Sequence, residues 1–299
     1  MKRGVWYAVG AYLLWGVFPI YIKWLQEVPP VEILAHRMVW SLAFVTVLLT
    51  IQHHWKWLQT VAARPAILGR FAATATVVSV NWGVYIWAIT SNRVVDASLG
   101  YFINPLVNVL LGALVLRERL RPVQWVAVAI AALGVVWLTV LAGTLPWIGL
   151  TLAISFGMYG LLRKTASLGA LEGLTLETAL LFPLAFSYLL WLASNHQNTF
   201  IESSAAMRWL LVAAGPVTAV PLLLFAAGAR RIPLSLLGLL QYIGPTIQLL
   251  LGVWLYHEPF SAAKAAGYAL IWAALALYSA EMVWQTWRRA PEGVNSAAQ

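Results

Sequence analysis

The chain has 299 residues, of which 62% are hydrophobic and only 10% are charged, and its net charge is +9. Soluble domains hold about 45–50% apolar and about 25% charged residues, so a water-soluble globule is excluded and most of the surface must face hydrocarbon. The positive charge does not point to nucleic acid, because the basic residues sit in short segments between apolar runs, where they orient a membrane chain. Cysteine is absent, which removes disulfides and thiolate chemistry.

A membrane-spanning helix needs about 20 mostly apolar residues. Ten such runs occur, at about 4–25, 32–51, 69–91, 97–116, 122–141, 146–164, 173–194, 208–229, 234–256 and 262–284. Many of the 17 Trp and 11 Tyr lie near the ends of these runs, as in an aromatic belt at headgroup level. Long continuous runs argue against a membrane β-barrel, which would alternate in ten-residue segments. The first run follows Lys2-Arg3 like the start of a signal peptide, but it stays apolar to Leu25 without a convincing cleavage site and is read as an uncleaved helix.

The second span carries His36 and Arg37 about one turn in, with Glu32 four residues before His36 and Trp40 three residues after Arg37. A charge at mid-helix costs roughly 2.5–3.5 kcal/mol to insert, so such residues are functional candidates. Arg37 would bind a carboxylate or phosphate in a bidentate fork, and His36 would gate protonation near neutral pH. The ordinary alternative is a snorkelling interface cluster. In the third span Asn81 and Tyr85 share a face, with Trp82 beside them and Trp87 beyond. That set suits an organic substrate, or interhelical packing.

The fourth span places Tyr101, Asn104 and Asn108 on one face around Pro105, which lacks a backbone donor and kinks the helix. It ends in Arg117-Glu118-Arg119. The seventh span holds Glu177, a candidate proton-coupling carboxylate alongside His36; the alternative is a helix-start glutamate favoured by the macrodipole. The ninth span repeats the fourth: Gln241, Tyr242, Pro245 and Gln248 precede Glu258. Glu118 and Glu258 are read as structural ends or latches, paired with Arg117, Arg119 or Arg121 and with Lys264 respectively.

The repetition is systematic. An offset of 140 carries Pro105 to Pro245, Asn108 to Gln248, Gly112 to Gly252, Glu118 to Glu258 and Arg37 to Glu177, and an offset of 141 carries Gly16 to Gly157 and Lys23 to Lys164. Spans one to five therefore correspond to spans six to ten. Five is odd, so the second set runs the opposite way through the membrane: an inverted-topology repeat, a pointer to a secondary transporter with a midplane site between the halves. The expected fold is an all-α integral membrane protein of ten transmembrane helices in a 5+5 arrangement. Its units are 1–142 and 143–287, with a polar tail at 288–299. With the amino terminus inside, fourteen Lys and Arg fall on the cytoplasmic side against five on the other, which places both termini in the cytoplasm.

Several strings carry a family resemblance: Leu34-Ala35-His36-Arg37, Asn81-Trp82-x-x-Tyr85-Ile86-Trp87-Ala88, Ala97 to Asn108 in ASLGYFINPLVN, Leu176-Glu177-Thr178, and Gln241 to Thr246 in QYIGPT. Over nearly its whole length the chain resembles the RarD-like branch of the EamA family in the drug/metabolite transporter superfamily. The resemblance implies a ten-helix bacterial inner-membrane transporter with both ends cytoplasmic. That branch is named for a link to chloramphenicol sensitivity, which does not name a substrate.

The sequence holds no phosphate-binding loop for ATP, no H-E-x-x-H and no carboxylate partners for His53-His54, so neither cofactor nor metal is expected. The reading is a carrier, not an enzyme. It moves a small organic metabolite or drug by alternating access, driven by a coupled proton or by the substrate's own gradient. A channel and a membrane-embedded enzyme are the alternatives. The expected partners are the small-molecule substrate and the lipid bilayer, with a monomer or weak homodimer as the assembly.

Overall fold

The computed structural model describes residues 2–115, 117, 120–164, 166–229, 231–232 and 240–288, and all regular structure among them is helical. Eight helices are long and apolar enough to cross a membrane: α1 (Lys2–Trp24), α2 (Pro30–Ile51), α4 (Pro65–Thr90), α5 (Val94–Val115), α6 (Pro122–Ala142), α8 (Ala170–Ser194), α10 (Ala205–Ala229) and α12 (Ala262–Arg288). Two apolar helices are shorter: α7 (Trp147–Lys164) and α11 (Ile243–Leu250), which runs on as a π-helical turn over Leu251–Leu255. Two small helices, α3 (Trp57–Ala63) and α9 (Thr199–Glu202), occupy the two longest loops.

These boundaries follow from local chemistry. Pro30, Pro65 and Pro122 stand in the first turns of α2, α4 and α6, where a missing N–H breaks no bond. Gly143 ends α6 with φ +66°. The sixth expected span is α7, whose 18 residues reach about 27 Å at 1.5 Å per residue, just under the hydrocarbon thickness. The ninth expected span is interrupted. The chain turns at Gln241–Tyr242 before α11 begins, and the early part of that expectation (233–239) lies outside the described residues. Pro105 therefore sits inside a continuous α5, whereas Pro245 sits in the first turn of α11.

Arg117 and His257, 140 residues apart, both take left-handed backbone conformations (φ +55° and +52°). Each directly precedes one of the two glutamates. Glu118 lies outside the described residues. Glu258 departs from the expected ion pair with Lys264. Its carboxylate accepts the backbone N–H groups of Val94 (2.6 Å) and Val95 (2.8 Å), and Lys264 pairs with Asp96 at 2.9 Å. The physical reason is that α5 starts with unpaired N–H donors, and the left-handed turn at His257 delivers a carboxylate to them. Burial pushes the Glu258 carboxyl above the ordinary carboxylate range, and the two backbone donors pull the other way.

The tightest packing uses small residues. α5 lies on α7 at Gly100, where a Cβ would meet the Gly149 carbonyl oxygen at 2.7 Å. A Cβ on Gly157 of α7 would stand 2.9 Å from Val107 of α5, and one on Gly16 of α1 would stand 2.8 Å from Ile247 of α11. α4 packs on α7 as α10 packs on α1, and α2 lies against both α8 and α10. α6 and α12 pair with each other at the periphery against α5, with Leu133, Val136, Val140 and Trp272 exposed on their outer faces.

Candidate functional site

A cavity of about 180 Å³ lies inside the bundle, lined from α1, α2, α4, α5, α7, α10, α11 and Gln241. Among the described residues, α6, α8 and α12 send no side chain into it. Its walls are aromatic. One wall runs through Phe18, stacked on Tyr85 at 5.8 Å, to Tyr101, which meets Tyr85 edge-on at 5.7 Å and Phe156 at 6.0 Å. The other is formed by Tyr12, Trp15 and Phe225, with centroids 5.7–6.1 Å apart.

Arg37 enters from α2 and is 6% exposed. Its Nε donates to Thr218 Oγ1 at 2.7 Å. Its guanidinium lies 4.0 Å from the Trp82 ring centre and 4.9 Å from that of Phe18. The close approach of α10 makes the hydrogen bond possible: at Gly215 a Cβ would meet the Trp40 carbonyl oxygen at 2.4 Å, so only glycine lets α10 lie on the α2 backbone one turn from Thr218. A charged hydrogen bond contributes about 1.5–3 kcal/mol and each cation–π contact about 0.5–2 kcal/mol. Together they offset the roughly 2.5–3.5 kcal/mol of inserting the arginine. No carboxylate pairs with Arg37 among the described residues, and its Nη1 has no hydrogen-bond partner. A second cation about 5 Å away would be repelled by about 3 kcal/mol at an effective dielectric of about 20, so the cavity favours negative charge.

Three further polar atoms of lining residues are buried without partners: Tyr85 Oη, Asn81 Oδ1 and Gln248 Oε1. Their residues are otherwise fixed. Asn81 Nδ2 donates to the Leu152 carbonyl (3.1 Å) and to Ser155 Oγ (2.9 Å), tying α4 to α7. Gln248 Nε2 donates to the Trp15 carbonyl at 3.0 Å, tying α11 to α1. Unpaired buried polar atoms are few in folded proteins, and each asks for a partner.

The structure thus gathers Arg37, Asn81, Trp82, Tyr85, Tyr101, Gln241, Pro245 and Gln248 around one space. His36 and Trp40 lie outside its lining, their rings packed against Phe200 at 5.4 and 5.9 Å, with His36 Nε2 3.7 Å from Glu32. The Glu32 carboxylate accepts the Thr199 backbone N–H and hydroxyl, both at 2.7 Å, and so fastens the loop carrying α9 to α2. Asn104 is fully buried and donates to the Ala153 carbonyl (3.1 Å), while accepting from Asn108 (3.1 Å) and Gln241 (3.4 Å). This makes it an interhelical bridge behind the wall. Tyr242 packs with the core of α5, α6 and α12.

Glu177 is 1% exposed and pairs with Arg163 (3.8 Å), not with Arg37. It also accepts from the hydroxyl of Tyr159 (3.1 Å), and Tyr159 is itself a lining residue. No group of His, Asp and Glu suited to a metal ion occurs among the described residues. The contributions of α1, α7 and α10 are absent from the sequence-level candidates. One signal was present: Thr218 lies between Pro216 and Pro221, and two prolines in one span mark irregular backbone next to a cavity.

Residues 2–140 match the EamA-like transporter family. Protein RarD of Streptomyces exfoliatus is 46% identical over 99% of this chain and 94% of its own length. The uncharacterized transporter YojE of Bacillus subtilis is 47% identical over 97% of each chain. The chain belongs to the EamA-like transporter family. Protein RarD of Escherichia coli, at 43% identity over 95% of this chain and 96% of that protein, extends the same relationship. A solved crystal structure with 22% identity aligns over 92% of this chain and 97% of its own at a TM-score of 0.51, a likeness of fold alone. This member of the EamA-like transporter family is accordingly a multi-pass membrane protein, with the aromatic cavity at its centre.

Proposed function

We propose that the chain is a secondary carrier that moves a small organic solute across the bacterial inner membrane by alternating access between its two units, residues 1–142 and 143–287. The carrying observation is the central cavity lined from both sequence halves, four of whose lining residues each carry a buried polar atom without a hydrogen-bond partner. The paired contacts support an inverted repeat. α5–α7 and α4–α7 have counterparts in α11–α1 and α10–α1, and Gly157 against Val107 has its counterpart in Gly16 against Ile247. Arg37 is flanked by α1 and α10, and Glu177, its equivalent at the 140 offset, is flanked by α7 and α4. A carrier uses such symmetry to expose one site to each side in turn. On this reading α7 and α11 are the remaining two of ten spans, and the Lys and Arg bias favours both termini in the cytoplasm.

Glu177 is the proposed proton site. Tyr159 connects it to the cavity wall, so a change in its charge is felt where the solute binds. The test is a panel of labelled organic metabolites presented to the purified protein in liposomes, with and without a proton gradient. Saturable uptake accelerated by unlabelled solute on the far side is expected. Conductance steps in a planar bilayer would instead mean a channel.

A further inference from the structure

We infer that the ligand of the central cavity is a single-ring organic monoanion, an aromatic carboxylate bearing an N–H or O–H donor. This rests on the reading of that cavity as the solute site. Four features combine. Arg37 is buried and lacks a carboxylate partner among the described residues, and its Nη1 has no hydrogen-bond partner. Because Nε is held by Thr218, the guanidinium keeps a fixed orientation toward a planar anion. Among the described residues no acidic side chain lines the cavity, since Glu177 is turned to Arg163 and Tyr159, so an ammonium group finds no counter-charge there. Phe18 and Trp82 already carry the arginine on their faces, which leaves Tyr12, Trp15 and Phe225 to receive a flat apolar body.

Size and polarity narrow the class. An apolar cavity of about 150 Å³ holds one benzene molecule, so about 180 Å³ accommodates one ring with a carboxylate. The two orphan amide oxygens, Asn81 Oδ1 and Gln248 Oε1, accept hydrogen bonds and donate none. Neighbouring atoms cover them, and a small rotation of either amide presents its oxygen to a ring hydroxyl or amino group, a donor that a bare carboxylate does not supply. A dianion would leave its second charge uncompensated against aromatic walls.

The probes are 4-hydroxybenzoate, 4-hydroxybenzamide, 4-hydroxybenzylamine and benzoate. Each is measured by calorimetry against the purified full chain in nanodiscs. The expected order is 4-hydroxybenzoate at least tenfold tighter than benzoate or the amide, with the amine weakest. A folded R37Q should reduce 4-hydroxybenzoate affinity to that of the amide, and R37K should fall between them. Equal or tighter binding of the amide or the amine, or no carboxylate preference, would overturn the proposal. So would a folded R37Q that retains the affinity. The four ligands on the unaltered chain decide the matter even if R37Q fails to fold. Selective binding of 4-hydroxybenzoate without counterflow in liposomes would sink the carrier reading and leave the ligand class standing. Counterflow confined to neutral or cationic solutes would do the reverse.

Discussion

Arg37 has five N–H donors, and the observed fold gives its Nε one acceptor, the Thr218 hydroxyl. T218V removes that acceptor and should lower stability by about 1–3 kcal/mol, as expected for a buried charged hydrogen bond. Thermal unfolding in detergent measures this. T218S should restore both stability and anion affinity, which a packing role for the threonine methyl would not allow. N81D tests the charge logic from the other side. It adds an acidic side chain to the cavity lining at the cost of the donor bond to the Leu152 carbonyl, and the folded fraction recovered by gel filtration should bind an organic anion at least tenfold more weakly. Arg37, Asn81 and Tyr85 were legible in the sequence because a polar group in an apolar span stands out. Thr218 was marked only by its flanking prolines and Phe225 not at all, because a hydroxyl or a ring in hydrocarbon is ordinary, and the close approach at Gly215 gives Thr218 its role. Asn104 was legible as polar but its direction was not. It faces α7 as a bridge, and sequence spacing cannot tell the two faces of so crowded a helix apart.

Among the elements, α5 depends on a residue more than 160 positions away. Glu258 caps its first turn through Val94 and Val95. E258A leaves two buried N–H groups unpaired and should destabilise the protein by about 2–4 kcal/mol, read as a fall in melting temperature. An additive K264A change should leave that loss unaltered, because Lys264 serves Asp96. G100V would force a branched side chain against the Gly149 carbonyl and should separate α5 from α7, with loss of folded protein in fluorescence-detected gel filtration. The apolar spans were readable from composition alone. The π-helical turn at Leu251–Leu255 and the break at Gln241–Tyr242 were not, since neither has a local signature. The copies at Pro105 and Pro245 look alike in sequence, yet one lies within a helix and the other at a helix start.

At the scale of the molecule, charge is the proposed governor of transport. Among the described residues no carboxylate pairs with the buried cation of the cavity, and the proposed anionic solute would neutralise it. Reorientation of the empty protein should therefore be slower than reorientation of the loaded one, so exchange should outrun net flux. If Glu177 carries the coupled proton, E177Q should flatten the pH dependence of that exchange while leaving solute affinity within a few-fold; an unchanged pH profile would remove Glu177 from coupling. The measurement that bears most directly on the account is trans-stimulation of labelled 4-hydroxybenzoate efflux from liposomes containing the purified chain. The account predicts saturable efflux that speeds up several-fold when unlabelled 4-hydroxybenzoate is added outside, with loss of the effect in R37Q. Efflux that is linear in concentration and indifferent to solute on the far side would contradict it.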